Sequence, residues 1–307
     1  MSAEEGSTRP LFFPPVRGPP REPPSPIDPP EPIPIPDLNF PSVDWLPVYN
    51  IRTPYDEAEI VHLIHEIVRN FVRLSGVSEN GVLWPPEDGH QIDEGVCNEL
   101  DISAEAKSLI RRLPCPIGSY SPVYLYESSQ IYNITDAGTL RVSRESPSYV
   151  EDKDSLADRY ILPQDVLLSS DDPETPVIIL DTRENTIRVV SMIDDADELN
   201  PPYISLERPD DPSYYRNYWP RHAPTWLRMQ LNRIRALDVI PPGPIQSGYV
   251  DYTDEWMRRK IKHYLEGTYG WPDNFQQSAW DQDRDRIWEE TAKEYESLGE
   301  PRVLRFE

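Results

Sequence analysis

Apolar residues recur every three to four positions between about 55 and 75, where Ile60, Ile64, Ile67, Val68 and Phe71 fall on one face. That spacing predicts an amphipathic helix with one buried stripe. Thr53 is expected as its N-cap and Pro54 at its first helical position. Asp56 and Glu57 complement the dipole, and Gly76 supplies the stop. The same period returns at about 103–112, capped by Ser103, with Ala106, Leu109, Ile110 and Leu113 inward and Pro114 ending it.

The period then shortens to two. Val123-Tyr124-Leu125-Tyr126, Ile131-Tyr132-Asn133-Ile134 and Leu140-Arg141-Val142 are short β-rich runs separated by turn residues. Val177–Thr182 and Thr186–Met192 make the clearest pair, a hairpin turning through Arg183-Glu184-Asn185. Val177-Ile178-Ile179-Leu180 is apolar at consecutive positions, so it is expected as a central strand covered on both faces.

Helical spacing resumes after about 223. Leu227, Leu231, Ile234 and Leu237 share one stripe, stopped by Pro241-Pro242-Gly243. Trp256, Met257, Ile261, Tyr264 and Leu265 share a second, capped by Thr253 and stopped by Gly267. Trp280, Ile287, Trp288, Tyr295 and Leu298 form a third over about 274–298. Helices before and after a block of strands predict an α+β fold. Its sheet, mixed or antiparallel, is expected at about 120–193 within a single domain spanning 45–307.

The first 44 residues follow neither period. Residues 1–41 hold 14 of the 36 prolines. Proline removes the amide donor and drives the preceding residue to extended backbone, so residues 1–44 are expected as a disordered, proline-rich tail. Within it, Arg17-x-x-Pro20-x-x-Pro23 fits the pattern read by SH3-type domains, a spacing that so proline-rich a segment also reaches by chance. Ser25-Pro26 offers a phosphorylation site on the same terms.

Composition narrows the function classes. A formal charge of −24 repels phosphate backbones and counts against a nucleic-acid role. The acidic start, Met1-Ser2-Ala3-Glu4-Glu5, leads into no apolar segment of signal-peptide type, and the longest aliphatic run, Val177–Leu180, is far too short for a bilayer. Cys97 and Cys115 are too few for a disulfide framework. The expectation is a cytoplasmic protein with no membrane association, the nucleus being left open.

Chemistry-bearing motifs are incomplete. His62, His65 and Glu66 read H-x-x-H-E, which lacks the i, i+4 histidines of zinc proteases. Packing of a ring is the simpler reading, but these residues are the centre of an alternative in which an enzyme site assembles from distant positions. Asp281-x-Asp283-x-Asp285 and Asp195-x-Asp197 lack the glycine of a calcium loop, having Arg286 and Asn200 in its place. The acids around Cys97 disfavour a thiolate, and Cys115 sits between two prolines. No nucleophile elbow, phosphate loop or dinucleotide fingerprint is present. Hence no catalytic, cofactor-binding or metal-binding residue is assigned.

Two surface features remain. Residues 74–106 carry eight acids and no base, residues 171–212 have a net charge of −9, and residues 221–263 a net charge of +4. Either the basic helices relieve the acidic ones within the fold, or an acidic face meets a basic partner. Six of the eight tryptophans fall between 219 and 288. Core packing accounts for most, while Tyr214, Tyr215, Tyr218 and Trp219 form a candidate exposed hot spot.

The run Leu113-Pro114-Cys115-Pro116, the hairpin at 177–187 and the helix opening Trp219-Pro220…Ala223-Pro224-Thr225-Trp226-Leu227 resemble uncharacterised proteins of filamentous fungi. Those proteins are loosely similar, in their sheet-then-helix order, to the SUKH superfamily. The resemblance covers about residues 50–240 and implies an α+β, non-catalytic, protein-binding domain without assigning any functional residue. Taken together, the expectation is a non-enzymatic interaction or scaffold protein with a protein partner, basic in character.

Overall fold

The face built from Ile60, Ile64, Ile67, Val68 and Phe71 is withdrawn from solvent, joined there by Leu63 and Leu74. The computed structural model describes residues 53–117, 123–145, 160–169, 175–190, 214–243, 248–251 and 254–297, all within one compact unit. Helix α1 runs Glu57–Leu74. Its N-cap is Asp56, not Thr53: the Asp56 carboxylate accepts from the N–H groups of Ala58 and Glu59. A carboxylate caps better than a hydroxyl that is already bonded elsewhere, and Thr53 is so bonded. Ser75 ends the helix by donating its N–H to the Phe71 carbonyl.

Helix α2 (Glu94–Glu99) is capped by Asp93. Helix α3 (Ala104–Arg112) starts at the expected Ser103 cap, and Ala106, Leu109, Ile110 and Leu113 are buried. Strands β1 (Val82–Leu83) and β2 (Cys115–Pro116) form a two-stranded antiparallel ladder, as do β3 (Tyr124–Tyr126) and β4 (Ser129–Gln130). The strand expected at 131–134 reduces to one bridge, Ile131 to Ser169. There the Asn133 side chain accepts from the Thr135 N–H and hydroxyl, which closes a local turn instead.

Leu140-Arg141-Val142 is helical, not extended: it ends α4 (Ala137–Val142). Asp136 caps that helix through Thr139, and the cap outweighs the weak β preference of three residues. The main sheet holds β5 (Asp165–Leu167), β6 (Val177–Asp181), β7 (Thr186–Val190) and β8 (Arg221–His222) in that spatial order, each neighbour antiparallel. The fold is therefore α+β, with antiparallel sheets.

Strand β6 is the predicted central strand, buried at all five positions. Period-2 alternation divides it between two cores. Ile178 and Leu180 join Val166, Ile187 and Val189 in the large core that contains α1. Val177 and Ile179 join Leu167, Val190, Tyr160, Tyr214 and Tyr215 in a second. The loop to β7 closes on Asn185, whose φ of 55° lies in the left-handed region that asparagine tolerates. Asp181 Oδ1 supports the loop by accepting from the Arg183 and Glu184 N–H groups, both at 2.9 Å.

Three helices follow: α5 (Ala223–Arg235), α6 (Glu255–Gly267) and α7 (Gln277–Ser297). Leu227, Leu231, Ile234 and Leu237 are buried, as are Met257, Ile261, Leu265, Trp280, Ile287 and Trp288. The expected cap Thr253, the expected stripe residue Leu298 and the tail with Arg17, Pro20 and Pro23 lie outside the described residues.

Because β6 has no exposed side, Ile178→Ala is expected to cost about 2–5 kcal/mol. Chemical denaturation would show it, and a cost below about 1 kcal/mol would contradict the two-core reading.

Candidate functional site

Helix α1 builds core with one face and an open groove with its flank. His65, Arg69, Val72 and Arg73 lie at i, i+4, i+7 and i+8, so they form one ridge. Gln277, Asp281 and Arg284 repeat the spacing on α7. With Ser75–Ser78 across the end and Trp84 and Pro85 at the side, these residues enclose about 740 Å³.

The two walls are bolted together where α1 ends. Gln277 Nε2 donates to the Arg73 carbonyl at 2.9 Å, Trp280 Nε1 to Leu74 at 3.0 Å and Arg284 Nη1 to Ser75 at 2.8 Å. Terminal helix carbonyls that lack partners within α1 are satisfied by α7, which fixes the groove's width.

Its arginines are not equivalent. Arg69 pairs with Glu66 at 2.7 Å and lies over Trp84, 5.4 Å from the ring centroid. Arg284 pairs with Asp285 at 3.0 Å and Asp281 at 3.6 Å. Arg73 instead rests on Trp271 and Phe275, 5.0 and 5.2 Å from their centroids, and no described carboxylate forms an ion pair with it. Burial lowers its pKa from the usual arginine value; Glu66 opposes the shift and Arg235 adds to it.

His65 Nε2 lies 2.8 Å from the Arg112 carbonyl, which can only accept, so this nitrogen carries the proton. Its ring meets Trp84 edge-on at 5.4 Å. Burial lowers the His65 pKa, so the ring is neutral near pH 7. His62 is exposed and Glu66 turns to Arg69. Of these three, only His65 lines the groove. Among the described residues, no three His, Cys, Asp or Glu side chains converge as metal donors.

A second cleft of about 660 Å³ lies at the opposite end of α1. Here His222, which the sequence did not single out, sits 2.7 Å from Thr53 Oγ1 and 2.8 Å from Thr225 Oγ1. Asn185 donates to Thr53 Oγ1 at 3.0 Å and to the Pro54 carbonyl at 3.2 Å. Asn185 thus donates to one of the two lone pairs of the Thr53 hydroxyl. The contacts tie the approach to α1 to the hairpin loop and to the start of α5.

The third polar cluster is buried in the second core. Asp165 and Asp181 are register partners on β5 and β6. Arg216, from the short turn Tyr215–Asn217, bridges them at 3.1 and 2.9 Å. Arg188 lies 3.9 Å from Asp181, and the Tyr215 hydroxyl donates to Asp165. Neither cleft is lined by these carboxylates, which are 0 and 1 % exposed, so their pairing is structural.

That cluster corrects the aromatic expectation. Tyr214, Tyr215 and Tyr218 are buried, and Trp219 is half-buried. The turn folds the tyrosines onto the sheet, with Tyr214 and Tyr215 centroids 4.9 Å apart and Tyr160 5.3 Å from Tyr214. The three tyrosines are core, not a surface hot spot. The described acids of 74–106 pair outside the basic run, Glu94 with Lys107 and Arg111 and Glu99 with Arg141, while Arg228 and Lys260 of the basic run meet Glu59 and Glu294. The carboxylates of Asp281, Asp283 and Asp285 pair with Arg284 and Arg286. Cys97 and Cys115 are buried free thiols, and burial pushes the latter up to about 12.

No described helix is long and apolar enough to cross a membrane. Comparison with known protein families, curated proteins and solved structures finds no match.

Asp165 makes the buried cluster pH-sensitive. Burial, aided by Asp181, raises its pKa to about 6, against the opposing pull of Arg216. The folded value lies above the unfolded one, so the stabilisation from its protonated form is complete below about pH 4 and is lost as pH rises through about 6. Denaturant titrations from about pH 4 to about pH 7 should therefore show wild type losing up to about 3 kcal/mol relative to Asp165→Asn. A difference that stays constant with pH would overturn this assignment.

Proposed function

We propose that this chain is a non-enzymatic protein-interaction protein and that the groove between α1, Trp84 and α7 is where it docks a protein partner. The observation that carries the reading is the groove's composition: an aromatic and aliphatic floor of Trp84, Pro85, Val72 and Val77, rimmed by arginines held on two rigid helices. Aromatic and arginine side chains on fixed elements are what partner anchors use. The SUKH-like likeness, itself resting on sequence alone, implies the same class of function.

An enzyme centred on His62, His65 and Glu66 draws less support. One His65 nitrogen is bonded to a carbonyl, and neither His62 nor Glu66 reaches the groove. The charge of −24 steers a partner of basic overall character, with association slowing as salt rises. An SH3-type reader of Arg17, Pro20 and Pro23 belongs to the same proposal, on sequence grounds.

A photo-crosslinking residue placed at Ser78, on the groove rim, is expected to capture one protein partner in cell extract. The same residue placed at the exposed Lys293 should not capture it, and Trp84→Ala should abolish capture from Ser78. Capture that is equal from both positions, or indifferent to Trp84→Ala with the fold intact by circular dichroism, would refute the docking assignment.

A further inference from the structure

One charge without an ion pair among the described residues lines this groove. Arg73 is half-buried on the shelf of Trp271 and Phe275, and no described carboxylate pairs with it. Arg235, exposed at the end of α5, is close enough to repel it and likewise has no ion pair among the described residues. Its backbone carbonyl accepts from Trp271 Nε1 at 2.9 Å, so the shelf and the second arginine are fixed to each other. Most other described arginines pair with an acid, as Arg69 and Arg284 do within the groove, while Arg144 turns to backbone carbonyls and Arg233 to Gln230. Trp271 lies under Arg73 with its ring and holds the Arg235 backbone with its indole N–H, while Glu66, the carboxylate that acts on Arg73, is bonded to Arg69.

We propose that Arg73 and Arg235 form a carboxylate seat, and that the occupant is an extended acidic segment of a protein partner carrying an apolar residue beside its Asp or Glu. The inference rests on the docking reading above and names the chemistry of the docked segment. Arginine grips a carboxylate through paired N–H donors, and partial desolvation strengthens the contact. The neighbouring apolar side chain lies on Val72, Val77 and Trp84. A peptide is favoured over a nucleic acid because the chain's −24 charge repels a polyanion over distances at which one or two carboxylates feel little. Steering by the whole surface and contact at the seat have opposite signs because they act over different ranges.

The test uses the full chain and fluorescent hexapeptides read by anisotropy. One places an isoleucine among glutamates, a second has glutamines in place of the glutamates, and a third has lysines. The glutamate peptide is expected to bind at least about tenfold more tightly than the glutamine peptide. Arg73→Gln and, separately, the exposed Arg235→Gln should each erase most of that difference, whereas Lys293→Gln should leave it unchanged. Thermal melts identify any variant that has lost its fold, and Arg235→Gln serves if Arg73→Gln does.

Preference for the lysine peptide, lost on Trp84→Ala, would overturn the carboxylate seat while leaving the docking groove in place. Binding of none of the peptides at millimolar concentration would overturn the seat, and the Ser78 crosslink would then decide the groove independently. Tighter binding of single-stranded oligothymidylate than of the glutamate peptide would overturn the choice of a peptide occupant.

Discussion

One amphipathic helix imposes the arrangement of the rest. Helix α1 buries Ile60, Leu63, Ile64, Ile67, Val68, Phe71 and Leu74, each side chain contributing about 1.5–3 kcal/mol by leaving water. A stripe that wide must be covered from several directions. Helix α5 covers it along its length, β3 meets it at Phe71 through Tyr124, and α7 closes over its last turn. Both clefts lie at its ends, one beside the Asp56 cap and the other where α7 satisfies the last carbonyls.

The sheet answers a second demand. Strand β6 is apolar on both sides and needs two cores, so the chain lays a tyrosine cluster against the face turned away from α1. Its apolar run stops at Asp181, and the ladder there places Asp181 beside Asp165. Two adjacent buried carboxylates are unstable without cations, and Arg216 and Arg188 supply them. The tyrosines are drawn inward by the same requirement, since Tyr215 supplies a hydroxyl to Asp165 and Arg216 follows it in the turn.

What the sequence made legible follows from range. Ser103 caps α3 through a residue three positions away, and β6 pairs with β7 across a four-residue loop, so both were readable locally. Residues 140–142 misled because the decisive group, Asp136, lies upstream of the β-rich triplet. The tyrosines misled because burial depends on Asp165, 50 positions from Tyr215. The groove was invisible because its walls are joined by a bond between Gln277 and Arg73, 204 positions apart. The only local hint was the ridge of His65, Arg69 and Arg73 on the flank of a helix whose apolar face was already assigned. Likewise His222 and Thr53 are 169 positions apart, and nothing near either residue announces the other.

The account places recognition at the end of α1 where arginines outlast their acids, and leaves the opposite end as a fastening. Hydrogen exchange by mass spectrometry, comparing the full chain alone with the chain bound to its captured partner, tests that division most directly. The account predicts slowed exchange in the segments 69–78 and 277–284, with no change at 53–59 and 222–228. Protection confined to the Thr53 and His222 end, or absent from the groove while the partner is bound, would contradict it.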